Sequence, residues 1–298
     1  MSKKNFPKIV VTGSNGFLGT HLLEKLLEKY NVIGINNVLD KKRKGYFPLK
    51  KEISRLDAND IKQKIGGIIH LAAITDVKFC ENNPQKCFTT NVVGTIKALE
   101  IARKKNARFL YSSTSHVYGK PKKLPISETH SKTPASIYST SKMFGEICCE
   151  AYANTYGLDV SIVRIFSVYG PNSPPHLVTS RIISQLDKKS IKMGNLSSKR
   201  DFIYVNDAIA AILTVFSKSK GFQIYNVGSG KSHSVLEVYK ILKKISRKNT
   251  PIISVSQFKR KNDIHNMVSN ITKIKKLGWK PTFSLEIGLK NTYQKYNH

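Results

Sequence analysis

The feature that most constrains the fold of this chain is the run Ile9-Val10-Val11-Thr12-Gly13-Ser14-Asn15-Gly16-Phe17-Leu18-Gly19. Three β-branched apolar residues, a Gly-x-x-Gly-x-x-Gly spacing and an amphipathic continuation read as strand, tight turn and helix. Gly13 and Gly16 permit a sharp turn and close backbone approach to a pyrophosphate. Gly19 lets the helix pack on its strand, and the helix N-terminus attracts the anion. Three glycines in this register at a first strand-to-helix junction favour dinucleotide binding over a turn that merely needs glycine.

The rest of the first half repeats the alternation of short apolar runs and amphipathic stretches, the pattern of β-α-β units in a parallel sheet. Strands are predicted over residues 8–12, 31–35, 52–56, 67–72, 107–112 and 159–165, and helices over 17–29, 84–105 and 136–156. The Pro-rich break Tyr169-Gly170-Pro171-Asn172-Ser173-Pro174-Pro175 opens a second region of shorter elements. The fold class predicted is α/β: a doubly wound parallel-sheet Rossmann domain over 1–165, with a returning segment near 201–225. A smaller C-terminal lobe takes mainly 166–298.

A formal charge of +31, from 50 Lys and Arg against 19 Asp and Glu, attracts any polyanion. The lysines are scattered, however, and no zinc, helix-turn-helix or RNP-like signature accompanies them, so no specific nucleic-acid partner is expected. The N-terminal segment has no signal-peptide pattern, and no apolar stretch reaches the roughly 18 to 20 residues that span a bilayer. Cys80, Cys87, Cys148 and Cys149 lack C-x-x-C spacing and read as reduced thiols in a cytoplasmic protein away from membranes. His21, His70 and His265 show no metal-ligand spacing, so no metal is expected.

At the end of the second strand, where an acidic residue would hold the adenosine ribose of NAD, the chain has Asn36. An amide can hydrogen-bond a ribose hydroxyl without repelling a 2′-phosphate, and Lys41, Lys42 and Arg43 follow, so both NAD and NADP stay open. Asp57 is a candidate adenine contact; alternatively it caps a helix starting at 58.

In Tyr138-Ser139-Thr140-Ser141-Lys142, a Tyr and a Lys stand four apart at the start of a helix and share one face. A phenol with pKa near 10 is a poor base at neutral pH; a neighbouring ammonium and a positive nicotinamide ring favour its ionised form. Upstream, Phe109-Leu110-Tyr111-Ser112-Ser113-Thr114-Ser115-His116 is an apolar strand ending in hydroxyls at the carboxyl edge of the sheet, where ligands of open α/β sheets sit.

With these motifs in order, the chain resembles the extended short-chain dehydrogenase/reductases, and within them the nucleotide-sugar epimerases and dehydratases of the UDP-glucose 4-epimerase type. The likeness runs from about Ile9 to Leu289. Besides the glycine loop it is carried by His70-Leu71-Ala72-Ala73, Asn91-Val92-Val93-Gly94-Thr95, Ser112 to Gly119, Tyr138 to Lys142, and Arg200-Asp201-Phe202-Ile203-Tyr204. Asn226-Val227-Gly228-Ser229-Gly230 and Leu277-Gly278-Trp279-Lys280-Pro281 add to it.

The resemblance implies that Thr114, Tyr138 and Lys142 are catalytic. It implies a cofactor site of Gly13, Asn15, Gly16, Phe17, Leu18, Gly19, Asn36, Asp57, Leu71, Ala72, Ala73, Asn91, Ser112, Tyr138, Lys142, Phe166 and Val168. It places Asp76, Thr114, Ser115, Tyr138, Arg200, Arg260 and Asp263 on a nucleotide-diphosphate sugar, makes the C-terminal lobe the substrate-binding one, and implies a homodimer. Two departures stand out: Ser167 replaces an Asn that touches substrate phosphate in many relatives, and Asn262 replaces a common glycine.

Relatives that eliminate water carry Asp-Glu after the catalytic Thr, whereas this chain has Ser115-His116. Without that acid and base a 4,6-dehydration lacks its second set of proton transfers. The expected activity is therefore NAD(P)-dependent 4-epimerisation of a UDP-hexose through a transient 4-keto sugar. An NADP-dependent nucleotide-sugar reductase or dehydratase is the first alternative, and a non-catalytic cofactor- or RNA-binding module of the same fold the second.

Overall fold

The computed structural model of the chain describes residues 7–258 and 264–296, arranged as two compact units. The first takes in the chain up to Val117, Pro134–Arg164 and Ile212–Tyr225; the second takes in Tyr118–Thr133, Ile165–Ala211 and the chain from Asn226.

In the first unit the apolar runs become strands β1 (Lys8–Thr12), β2 (Val32–Asn36), β3 (Tyr46–Lys50), β4 (Ile65–His70), β5 (Arg108–Thr114) and β6 (Val160–Ile165). With Gln223–Val227 they form one seven-stranded sheet, ordered 223–227, β6, β5, β4, β1, β2, β3. The ladders joining β3, β2, β1, β4 and β5 are all parallel. Every residue of β2 and β6 is buried, as expected of strands covered on both faces. Helices α1 (Phe17–Leu26), α2 (Val77–Asn82), α3 (Pro84–Phe88), α4 (Gly94–Lys104) and α5 (Ile137–Tyr156) flank the sheet. Val10, Ile68, Phe109 and Ile162 of the sheet share one core with Ala98, Leu99 and Ala102 of α4 and Cys149 of α5. Because β2 and β4 lie on opposite sides of β1, the strand order reverses there, and ligands of such sheets bind at the carboxyl ends beside the reversal. This is the doubly wound Rossmann architecture expected from the sequence.

Two expectations need correction. The third strand is not 52–56 but Tyr46–Lys50, and Ile53–Arg55 forms a 3₁₀ turn. Pro48 argues against a strand in the sequence, yet β3 is the sheet edge, where a missing N–H is tolerated. Ile53 is buried all the same, because it packs on Gly94: a Cβ there would come within 2.7 Å of Ile53 Cγ2. The helix expected over 84–105 is broken into α3, a π-helical turn at Thr89–Val93 and α4.

The second unit is built from small ladders. Ser167–Tyr169 pairs in parallel with Phe202–Tyr204, and Lys199–Arg200 lies between His233–Ser234 and Asn266–Met267. Its centre is Asp201, fully buried, which accepts from the amides of Ser229, Gly230 and Ser269 and from the hydroxyls of Ser229 and Ser269. Such a set of donors compensates the desolvation of a carboxylate. No helix among the described residues is long and apolar enough to cross a membrane.

Candidate active site

The glycine loop joins β1 to α1. Gly13 has a φ of +68°, and a Cβ on it would stand 2.9 Å from the backbone of Ala72, so loop and β4 extension close on each other only through glycine. A Cβ on Gly19 would meet the Gly13 carbonyl and the Ser14 backbone. Gly16 caps α1 without a side-chain hydrogen bond, so the first amides of the helix keep their donors for an anion. These are the requirements of a pyrophosphate, and the residues fit one.

Asn36 does not face outward with a free amide. It is 5% exposed, accepts from the Asn15 N–H (3.0 Å) and donates to Ser14 Oγ (2.8 Å). Ser14 Oγ lies 2.8 Å from the Tyr46 hydroxyl, which donates to Asp40 Oδ2 at 2.9 Å. With Tyr46 donating to Asp40 and Asn36 donating to Ser14, the Ser14 proton points at Tyr46, giving a one-directional relay from β2 to a carboxylate. The amide that the sequence offers to a ribose is thus spent on shaping the loop. Tyr46 and Asp40 were not singled out in the sequence, and no local spacing marks them.

At the end of β4, Leu71 and Ala72 donate their amides to the carbonyl and hydroxyl of Thr12. His70, fully buried, is bracketed by Thr12 Oγ1 on Nδ1 (2.7 Å) and Thr95 Oγ1 on Nε2 (3.1 Å). Asn91, in the π-helical turn, accepts from the Ile74 N–H and donates to the Ile74 carbonyl and to Ser141 Oγ. Ser141 in turn donates to the Tyr138 carbonyl (2.8 Å). One buried amide therefore links the β4 extension to the first turn of α5.

That turn is fixed by a capping box between Ser136 and Ser139. It sets Tyr138 and Lys142 one turn apart, with Lys142 buried and its Nζ 4.1 Å from the centre of the Tyr111 ring. Thr114, at the last position of β5, hydrogen-bonds the Tyr138 side chain and accepts the His116 N–H at 3.2 Å. The His116 ring stands edge-on to Tyr138, 6.2 Å between centroids. Burial pushes the Tyr138 phenol up to about 12, and the Thr114 hydrogen bond pulls against it. Burial likewise brings the Lys142 ammonium down to about 8, opposed by Cys149 and Glu146. The acidified phenol anticipated from the Tyr-Lys spacing is not what the protein alone produces, because burial, with Cys80 and Cys87 adding to it, outweighs the Thr114 hydrogen bond.

The remaining candidates divide clearly. Ser112 lies in β5 and Ser115 is buried just beyond it. Phe17 and Leu18 open α1, and Ala73 follows Ala72 in the β4 extension. Asp76 and Asp57 both serve as caps, accepting from the amides of Phe79 and Asn59. Phe166, Val168 and Arg200 belong to the second unit; Arg200 donates to the carbonyls of Lys199 and Ile264. Arg260 and Asp263, with Asn262, lie outside the described residues. Among the described residues no group of three His, Cys, Asp or Glu side chains is placed to hold a metal ion.

The whole arrangement has close counterparts. A Methanocaldococcus jannaschii protein provisionally named UDP-glucose 4-epimerase is 34% identical over 298 residues, covering 95% of this chain and 96% of the relative. The solved UDP-glucose 4-epimerase of Thermotoga maritima, with UDP-glucose, superimposes with a TM-score of 0.90 at 29% identity, covering 97% of this chain and 98% of that one. UDP-glucuronic acid 4-epimerase of Bacillus cereus, in complex with UDP-glucuronic acid and NAD, gives 0.90 at 28% identity, with 97% and 99% covered. The profile of the family described as GDP-mannose 4,6 dehydratase matches residues 10–292. Matched along nearly its whole length, the chain belongs to the GDP-mannose 4,6-dehydratase family of extended short-chain dehydrogenase/reductases.

Proposed function

We propose that this chain is an NAD-dependent epimerase that inverts C4 of a UDP-hexose. The observation that carries the reading is the cluster of Thr114, Tyr138 and Lys142 at the carboxyl end of β5, in the same unit as the glycine loop. Gly13, Asn15, Gly16, Phe17, Leu18 and Gly19 cradle the pyrophosphate, and Leu71, Ala72, Ala73, Asn91 and Ser112 line the way to the nicotinamide. Bound there, the nicotinamide supplies a reversible hydride acceptor and a positive charge.

Tyr138 takes the proton of the sugar 4-hydroxyl and later returns it to the same oxygen, once the transient 4-keto sugar has turned over and C4 has regained its hydride on the opposite face. Thr114 holds the same oxygen in line, and Lys142 binds the nicotinamide ribose and favours phenolate. Ser115 and Asp76 border the sugar, and the Arg200 guanidinium is a fork of the kind that suits diphosphate oxygens. The Ser115-His116 pair supports epimerisation over dehydration, since neither residue replaces a carboxylate pair.

A cofactor that ends each cycle as it began can stay bound. Protein purified without added dinucleotide should therefore interconvert UDP-galactose and UDP-glucose, and Tyr138→Phe should reduce turnover by at least about 100-fold. Stoichiometric consumption of added NADPH, with no epimerisation in its absence, would instead establish a reductase.

We further propose a cytoplasmic homodimer paired through α4 and α5. Phe144 and Ile147 of α5 and Val93 beside α4 are 41, 48 and 40% exposed, an apolar face of the kind that a partner covers. Light scattering of the eluted protein at twice the 33.5 kDa chain mass tests the pairing.

A further inference from the structure

Behind the reacting side chains lies a buried charge pair that the proposed chemistry leaves unused. Glu146, one turn beyond Lys142 on α5, and Arg164, in β6, are each about 1% exposed. The Arg164 Nε donates to Glu146 Oε1 at 2.9 Å and its Nη2 to Oε2 at 2.7 Å. Ser113 Oγ donates to the same Oε1 at 2.6 Å. Ser113 immediately precedes Thr114, so a single carboxylate ties the strand end carrying Thr114 to the helix carrying Tyr138 and Lys142.

Resting on the proposed roles of those three residues, we propose that Glu146 is a positioning residue: clamped by Arg164 and Ser113, it sets Thr114 against Tyr138 and is the counter-charge of the Lys142 ammonium. A buried ion pair is weak evidence for stability, because desolvation of both charges offsets most of the attraction. Its placement argues for another task. Tyr111 of β5 offers Lys142 an aromatic face, His70 of β4 lies within electrostatic reach, and so do Cys87 of α3 and Cys149 of α5. Tyr138 precedes it on its own helix. Among these groups Glu146 is the one carboxylate, and it opposes the burial that drives Lys142 toward its neutral form. Tyr138 needs that ammonium charged if it is to ionise.

The test is the pH profile of kcat/KM for UDP-galactose epimerisation by the cofactor-loaded enzyme. Glu146→Gln keeps the shape and can still accept from Ser113, but removes the negative charge and leaves Arg164 uncompensated. Its alkaline limb should move to lower pH by about one unit. Glu146→Asp keeps the charge and shortens the reach, so its limb should stay in place while kcat falls about 10-fold through misplacement. Should Glu146→Gln fold poorly, the double variant Glu146→Gln/Arg164→Met removes the stranded cation, and its limb should still lie below that of the wild type.

Equal losses of rate in all three variants with an unmoved limb would overturn the proposal and leave Glu146 merely structural. Tyr138→Phe separates this from the parent reading: if it retains full turnover, the assigned reaction falls and the inference with it. If it is inactive while the limb of Glu146→Gln is unmoved, only the inference falls.

Discussion

Thr12 Oγ1 approaches Nδ1 of His70 at 2.7 Å, and the direction of that hydrogen bond follows from its neighbours. Thr95 donates its hydroxyl proton to the Asn91 carbonyl (2.6 Å), so His70 Nε2 must donate to Thr95. Nδ1 is then the acceptor and Thr12 the donor, which fixes a neutral Nε2–H imidazole. Burial accordingly pulls His70 down to about 3.

The sign of the resulting pH dependence is definite. Between about 6.5 and about 3 the unfolded chain binds a proton at His70 that the folded chain refuses. Stability should fall with acidity over this window, by about 1.4 kcal/mol per pH unit from this residue alone. Urea unfolding of the wild type and His70→Asn at pH 7.5 and pH 5 reads it as a steeper acid loss in the wild type; parallel losses would refute it.

Lys142 presents the opposite compromise between stability and chemistry. Its folded-state pKa near 8 lies below the ordinary 10.5, so the buried ammonium costs stability below pH 8, and the cost is relieved as pH rises toward 10.5. Lys142→Met should be inactive yet about 2 kcal/mol more stable at pH 7, with the advantage shrinking between pH 8 and 10.5. Chemical denaturation across that range checks both statements.

Tyr46→Phe removes the link between Ser14 and Asp40 while keeping the ring. The Ser14 proton then loses its acceptor beneath the glycine loop. We expect a loss of about 1 to 2 kcal/mol in stability and several-fold faster release of dinucleotide, measured by thermal unfolding and by dialysis of the loaded protein.

In the second unit, Asp201→Asn keeps the volume but turns one of two acceptor oxygens into a donor facing donors. The expected cost is about 3 kcal/mol, seen as a lower urea midpoint at unchanged slope. A shift below about 0.5 kcal/mol would show that water or rearrangement satisfies those groups.

What could be read from the sequence was what short spacing encodes. The glycine loop, the one-turn separation of Tyr138 and Lys142, and the apolar strands announced themselves within windows of a dozen residues. The relay from Asn36 to Asp40 did not, because Ser14 and Tyr46 meet across a separation of 32 residues and no local pattern anticipates the meeting. β3 carries Pro48, whose cost depends on whether the strand is an edge, a property of the assembled sheet. Asp57 precedes a short helix, and the cap weighed for it in the sequence is present; the same role of Asp76 had no counterpart in the sequence reading. The fall of burial energy on Tyr138 was equally invisible, because desolvation is set by everything that surrounds a ring.

Asp201 also has a consequence for how the chain comes into being. Its carboxylate leaves the ribosome 68 residues before Ser269 and 28 before Ser229, the partners that make its burial tolerable. Until both arrive it must remain in water, so the lobe around it cannot close during synthesis of its own first half. The nucleotide half waits only for the strand ending at Val227. A released chain truncated near residue 235 should therefore resist protease over the N-terminal half while the segment around Asp201 is still cut.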